Sequence, residues 1–175
     1  MKELATFGGG CFWCIEAVFN RLQGVSSAVS GYTGDSEETA NYKDVCTGLT
    51  KHVEVVQVSF DPSIISYDDL VAIFYFIHDP TQLNQQGNDV GFQYRSVIYG
   101  HTESQLEQAQ AVTSKLNIEK YSGKIVTDIL PAVHFYPAEA YHQNYFMDNP
   151  NQPYCSVVIQ PKFEKFLTEF STSLK

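Results

Sequence analysis

Apolar positions along the chain follow two periods. ELATFGG, residues 3 to 9, is a short apolar run closed by glycines and predicts a first strand; Ile15, Val18, Phe19 and Leu22 then recur at helical spacing as far as Gly24. VSSAVSGY predicts a second strand, and HVEVVQVSF alternates through Val53, Val55 (with Val56), Val58 and Phe60 in the period of two expected of a third. Residues 33 to 51, between those strands, are polar and predict a loop. Ser66 is placed to cap a second helix, with Asp68 and Asp69 at its positive end and Leu70, Ile73, Phe74 and Ile77 on its apolar face. That helix stops near Asp79-Pro80. Residues 79 to 94 keep neither period, and an irregular stretch of that length in a compact domain is usually functional, so it is read as the wall of a site.

Beyond it, RSVIYG predicts a strand, TESQLEQAQAVTSKLN a helix, and KIVTDILPAVHFY one strand whose proline indicates an edge or a bulge. AEAYHQNYF predicts a short helix, DNPNQP a turn, CSVVI a short strand, and Pro161 opens a last helix. Several connections are too short to hold a crossover helix, which argues against a doubly wound parallel sheet. The pattern predicts an α/β (α+β) two-layer sandwich, with helices on a mixed or antiparallel sheet. No repeat or linker interrupts it, so residues 1–175 read as a single catalytic-sized domain.

Composition narrows the function. The chain is 43% hydrophobic, 14% aromatic and 18% charged, the profile of a folded soluble protein. A net charge of −9 without basic clusters excludes a nucleic-acid binder, which needs lysine and arginine gathered on one face. The N-terminus has no apolar stretch of signal-peptide length and no segment approaches a membrane span, so a cytoplasmic location is expected. In a reducing compartment four cysteines are reactive or buried rather than a disulfide framework.

One of them stands out. In GGGCFWC, Cys11 falls at a strand-to-helix junction, where unpaired amides and the helix dipole favour thiolate and predict a lowered pKa. Gly8, Gly9 and Gly10 allow a tight turn and close approach of a ligand, and Phe12 and Trp13 are placed to wall an apolar pocket suited to a methyl or thioether group. The plainer readings remain open: a small buried hydrophobe at Cys11 and core aromatics beside it. Cys14 completes a C-x-x-C pair, which also fits a thiol-disulfide oxidoreductase using Cys11 and Cys14 alone, although Phe-Trp is bulky for that motif.

GGGCFWC is joined in order by NYKDVCTGLTKHVEVVQVSFDP, HDPTQLNQQGNDVGFQYRSVIY and PAEAYHQNYF. Together these segments resemble the A-type peptide methionine sulfoxide reductases, from about residue 4 to 166. The resemblance implies a ferredoxin-like core and reduction of the S-epimer of methionine sulfoxide, free or in proteins, by attack of Cys11. It implies that Phe12 and Trp13 hold the substrate methyl group, that Glu54 protonates the sulfoxide oxygen, and that Tyr42, Tyr94 and Asp89 are its polar partners. By strand position alone Glu54 reads as a solvated residue, Tyr42 and Tyr94 as core or rim, and Asp89 as a turn former. His52 and His142 read as structural hydrogen-bonding residues.

The implied chemistry leaves a sulfenic acid on Cys11 that a second thiol must resolve. By family position Cys155 is the leading resolving candidate, Cys14 the next and Cys46 the third, with thioredoxin, or dithiothreitol in vitro, as the reductant. No bound metal or organic cofactor is implied, and a monomer is expected. Two residues depart from the family pattern, Lys51 and Asp35, each standing where a glycine is usual, in loops near the entrance.

Overall fold

The periods read from the sequence meet in one curled sheet. In the computed structural model, which describes residues 1–175, the chain runs β1 (Glu3–Gly8), α1 (Phe12–Asn20), β2 (Val25–Thr33), α2 (Tyr42–Val45), β3 (Val53–Phe60) and α3 (Tyr67–Phe76). A two-residue hairpin, β4 (Gln85–Gln86) and β5 (Asp89–Val90), leads to β6 (Val97–Gly100) and α4 (Glu103–Glu119). β7 (Asp128–Pro131), β8 (Phe135–Pro137), α5 (Tyr145–Asp148) and α6 (Gln160–Glu169) complete it. The six long-range strands form one sheet in the order β7-β6-β1-β3-β2-β8, antiparallel except for the parallel β6/β7 pair. This is an α/β fold on a mixed sheet, as the pattern predicts.

β3 sets the two faces. Val56, Val58 and Phe60 pack with Phe7 of β1, Phe19 of α1 and Phe74 of α3 in the main core, whereas Val53 and Val55 turn to the other face with Val97 and Tyr99. Alternation of strand side chains requires this division. Ser66 caps α3 as expected, its hydroxyl accepting the Asp69 N–H at 3.0 Å.

Three expectations are corrected. KIVTDILPAVHFY is not one strand: it splits into β7 and β8, which lie at opposite edges of the sheet. Five strand spacings span about 24 Å when flat, whereas the four steps from Pro131 to Phe135 reach about 14 Å. The sheet must therefore curl, and the link crosses its outer face, where Ala132 and Phe135 cover Val53, Val55, Val97 and Tyr99. CSVVI is not a strand either, but a π-helical turn, Cys155–Ile159, running directly into α6. Only Cys155 and Ile159 face inward there while Val157 is 72% exposed, so the run continues into the inward Phe163 and Phe166 at helical rather than strand spacing. AEAYHQNYF breaks at Asn144, whose left-handed φ of 59° separates a 3-10 turn, Ala140–His142, from α5. The polar segment 33 to 51 also holds a 3-10 turn, Glu37–Thr39, as well as α2.

Candidate active site

Cys11 is the N-cap of α1, in extended backbone at φ −60° and ψ 125°. The glycines before it allow the chain to pass close to its neighbours. A Cβ on Gly9 would lie 2.9 Å from the rings of Phe74 and His78, and Gly10, at φ 93°, would place one 2.8 Å from Cγ of Gln86 in β4. The sulfur is thus held at the helix end between the sheet and the hairpin.

All seven residues expected to bind or act on substrate border one cavity of about 240 Å³: Cys11, Phe12, Trp13, Tyr42, Glu54, Asp89 and Tyr94. They come from five separate stretches of chain. The irregular segment 79 to 94 is indeed a wall, contributing Asp89 from β5 and Tyr94 from a 3-10 turn, Phe92–Tyr94. Cys155 does not reach this cavity; it is fully buried in the core. Cys14 is buried on α1 and, with Cys11, borders a second, much smaller cavity of about 10 Å³ closed by Tyr154, Val158 and Ile159. Cys46 is exposed at the end of α2.

Glu54 is 1% exposed and lies on the core face of β3, opposite Tyr32. The solvated reading is therefore overturned. Burial pushes its carboxyl up to about 8, Asp89 adds to the rise, and the Phe12 N–H, donating to Oε1 at 3.2 Å, opposes it. Glu54 is accordingly neutral at pH 7 and able to give up a proton. The lowered pKa expected for Cys11 is also overturned. Burial pushes the thiol well above its ordinary value, the Glu54 and Asp89 carboxyls push the same way, and only the Trp13 backbone N–H acts to lower it. One helix end does not outweigh burial of the thiol. Tyr42 and Tyr94 are likewise shifted upward, mainly by burial and with Glu54 contributing to both, so each remains a hydrogen-bond donor.

Two lining residues escape sequence reasoning. Tyr154 donates from its hydroxyl to Asp89 Oδ2, fixing that carboxylate against the cavity, and Gln152 accepts the Cys155 N–H at 3.0 Å. The only signal for either was a tyrosine beside a candidate cysteine.

The aromatic wall has its own support. Trp13 stacks on Tyr145 at 3.9 Å between ring centroids, meets Tyr154 edge-on at 6.0 Å, and donates its Nε1–H to Nδ1 of His142 at 3.0 Å. An accepting Nδ1 places the single proton of neutral His142 on Nε2. His142 is 1% exposed, and its ring also lies 4.4 Å from that of Tyr42. Glu139 ties the same region together, accepting from the Tyr32 hydroxyl at 2.8 Å and the Tyr42 N–H at 3.0 Å. Burial holds His142 below its usual range, with Glu139 opposing, so acid must break the Trp13 hydrogen bond before the imidazole charges.

Trp13 is the only tryptophan, and its emission should follow that event. We expect a fluorescence transition below about pH 6.5, the ordinary histidine value. His142→Gln, whose amide oxygen still accepts from the indole, should keep the neutral-pH emission and lose the transition. An unchanged titration in the variant would refute this role.

The two departures from the family pattern touch one another: Asp35 Oδ2 accepts the Lys51 N–H at 2.8 Å, and Oδ1 accepts that of Ser36 at 2.8 Å. Next to them, His52 Nε2 lies 2.8 Å from the Ser36 carbonyl, in the structural role expected of it. These bonds fix the loop that feeds β3 and hence Glu54.

The whole chain has a counterpart among known proteins. The family model for peptide methionine sulfoxide reductase matches residues 3–174. The peptide methionine sulfoxide reductase MsrA of Polynucleobacter asymbioticus is 52% identical over 171 residues, 97% of this chain and 90% of that protein. Among solved structures, Mxr1 from Saccharomyces cerevisiae in reduced form aligns with a TM-score of 0.81 at 36% identity, covering 88% of this chain and 89% of that one. The same yeast protein in complex with Trx2 aligns with a TM-score of 0.57 at 26% identity, over 82% and 84% of the two chains.

Proposed function

This chain belongs to the peptide methionine sulfoxide reductase family, and on that premise we propose that Cys11 removes oxygen from the S-epimer of methionine sulfoxide in the cavity between Glu54 and Trp13. The observation that carries this reading is the meeting of a thiol, a neutral carboxylic acid and an aromatic wall around one hollow of side-chain size. Sulfoxide sulfur is a weak electrophile until its oxygen receives a proton. Glu54 supplies that proton as the Cys11 sulfur bonds to the substrate sulfur, and the Cys11 proton restores the carboxyl. The hydroxyl then passes from the substrate sulfur to the Cys11 sulfur: the substrate S–O bond and the new S–S bond break as a Cys11 S–O bond forms, giving Cys11–SOH and methionine, so one oxygen is transferred and no proton is gained or lost. Tyr42 and Tyr94 donate to the oxygen as its charge changes.

Selectivity for an epimer follows from three directions of contact. The substrate sulfur is pyramidal, and with the methyl group on Phe12 and Trp13, the oxygen toward Glu54 and the sulfur toward Cys11, only one chirality leaves the remaining chain pointing outward. The likeness to A-type enzymes identifies that epimer as S.

Condensation of Cys11–SOH with a second thiol gives a disulfide and water. Cys14 becomes our first choice, ahead of Cys155. Residues three apart on a helix have Cβ atoms about 5–6 Å from each other, beyond the about 3.5–4.5 Å between the Cβ atoms of a disulfide, so the first turn of α1 loosens as the bond closes; Cys14 shares the small cavity with Cys11. Burial pushes the Cys14 thiol up to about 11, with Lys162 drawing it back. Thioredoxin is proposed as the dithiol that reopens the bond, a reading supported by yeast Mxr1 in complex with Trx2. The order β6-β1-β3-β2, with α1 after β1 and α3 after β3, supports a ferredoxin-like core within one catalytic domain. As for location, no helix is long and apolar enough to cross a membrane.

The test offers each epimer separately with dithiothreitol and counts methionine formed. Turnover of the S form alone is expected; equal turnover of both, or of neither, would defeat the proposal.

A further inference from the structure

Cys14 must lose its proton before it can attack Cys11–SOH, since thiolate and not thiol is the nucleophile. Burial works against that, and Cys14 is only 8% exposed. The cavity of about 10 Å³ that it shares with Cys11 has two other ionisable lining groups, Tyr154 and Lys162. Burial holds the Tyr154 phenol far above its ordinary range, so it stays neutral. Lys162 is the one cation. It stands a turn beyond Val158 and Ile159, which border the same cavity, so the run from the π-helical turn into α6 presents all three to the thiols.

We propose that Lys162 promotes closure of the Cys11–Cys14 disulfide by stabilising the Cys14 thiolate. The residue also borders an open groove of about 460 Å³, and Ile77 and Gln86 are common to the groove and the small cavity. Half-buried between them, Lys162 keeps its charge hydrated on one side while facing the thiols on the other. No carboxylate competes for that charge. The one ion pair of the chain joins Arg95 to Asp128, and Asp79, the carboxylate of the groove, accepts instead from Thr81 and Gln82. His78 is neutral there, pushed down to about 4 by burial, and Lys165 lies over the Phe76 ring at 5.7 Å. Lys162 draws the Cys14 thiol downward against its burial, whereas the charges bearing on Cys11 are the Glu54 and Asp89 carboxyls. It therefore serves the second step, through Cys14, and not the attack on substrate. In that step Cys14 gives its proton to water, its thiolate bonds to the Cys11 sulfur, and the Cys11 S–O bond breaks. The hydroxide leaves with one proton as water, so a thiol and a sulfenic acid become a disulfide without an outside oxidant.

This inference rests on the reading of Cys14 as the resolving thiol, and Cys14→Ser separates the two. One equivalent of the S-sulfoxide is added without reductant in the presence of a fixed amount of dimedone, and mass spectrometry counts Cys11 recovered as dimedone adduct or as Cys11–Cys14 disulfide. Both products come from the same sulfenic acid, so their ratio reports resolution alone, and molecules that fail to fold drop out of it. A positive charge at close range raises the ionised fraction of a thiol about tenfold or more, and the weaker nucleophilicity of a more acidic thiolate takes back about threefold. Lys162→Met should therefore raise the ratio of adduct to disulfide at least about threefold at pH 7. Lys162→Arg, which keeps the charge, should stay near the wild-type ratio, and both variants should release the first methionine at the wild-type rate. A wild-type ratio in Lys162→Met, or an equal rise in Lys162→Arg, would overturn the proposal. Continued turnover of Cys14→Ser with thioredoxin would instead remove Cys14 as the resolving thiol, and the role of Lys162 with it.

Discussion

Replacing Glu54 by glutamine is expected to lower kcat/KM for methionine sulfoxide by about 10²–10⁴-fold, the range for loss of a positioned general acid. The variant removes little else. Its amide oxygen can still accept the Phe12 N–H that now reaches Oε1 at 3.2 Å, and its volume matches that of the acid. A pH profile distinguishes the loss of a proton donor from a packing defect. Wild-type activity should fall above about 8, where Glu54 ionises, and the residual activity of the variant should lack that limb.

Stability should move the opposite way. The Glu54 carboxyl rises from 4.5 to about 8 on folding, so between those values the folded protein holds a proton that the unfolded chain has released. Stability then falls as pH rises through that window and levels off above it. Glutamine does not titrate, so Glu54→Gln should gain on the wild type from pH 4.5 to 8 in urea melts. Glu16, raised to about 7 mainly by its own burial, slopes the same way in both proteins and cancels in the difference. A variant that is fully active, or whose stability difference ignores pH, would sink the assignment of Glu54 as the acid.

The second large effect concerns turnover. With thioredoxin as reductant, Cys14→Ser should release one methionine per protein molecule and stop, leaving Cys11 as a sulfenic acid that a dimedone probe labels. Cys155→Ser should continue to turn over; its cost should appear in stability, since its side chain is wholly buried and a hydroxyl there must find a partner or lose its water. If Cys155→Ser stalls and Cys14→Ser does not, the ranking reverts to the order that family position suggests, and the Cys155–Ile159 turn would have to unwind during each cycle.

The parts of this molecule that the sequence disclosed are those governed by local period or local chemistry. Val53, Val55, Val58 and Phe60 were enough to place β3, and Ser66 to start α3, because each signal lies within a few residues. Glu54 could have been read as buried from the strand alone. It shares parity with Val56, Val58 and Phe60, which form the helix-covered face, but the adjacent Val55 blurs the alternation. Cys155–Ile159 was not legible because β-branched residues favour strands, and only its contacts with the core disclose a helical phase. Tyr154 and Asp89 lie 65 residues apart, and His142 and Trp13 129 apart; nothing local forecasts either pair. The resemblance supplied the residues proposed to react, and the fold supplied what holds them.

The widened turn at Cys155–Ile159 links two jobs within one run of helix. On its far side Phe163 and Phe166 anchor α6 in the core, and on its near side Tyr154 lines the cavity and holds Asp89. Each residue of an α-helix advances the side chains by about 100°. A turn bonded i→i+5 spends one residue more than an α turn for nearly the same rotation, so deleting a single residue from it would restore α-helix and leave both the anchor and Tyr154 close to their present facing. One residue can thus be gained or lost at this point without turning the Tyr154 hydroxyl away from Asp89 or Phe163 and Phe166 out of the interior.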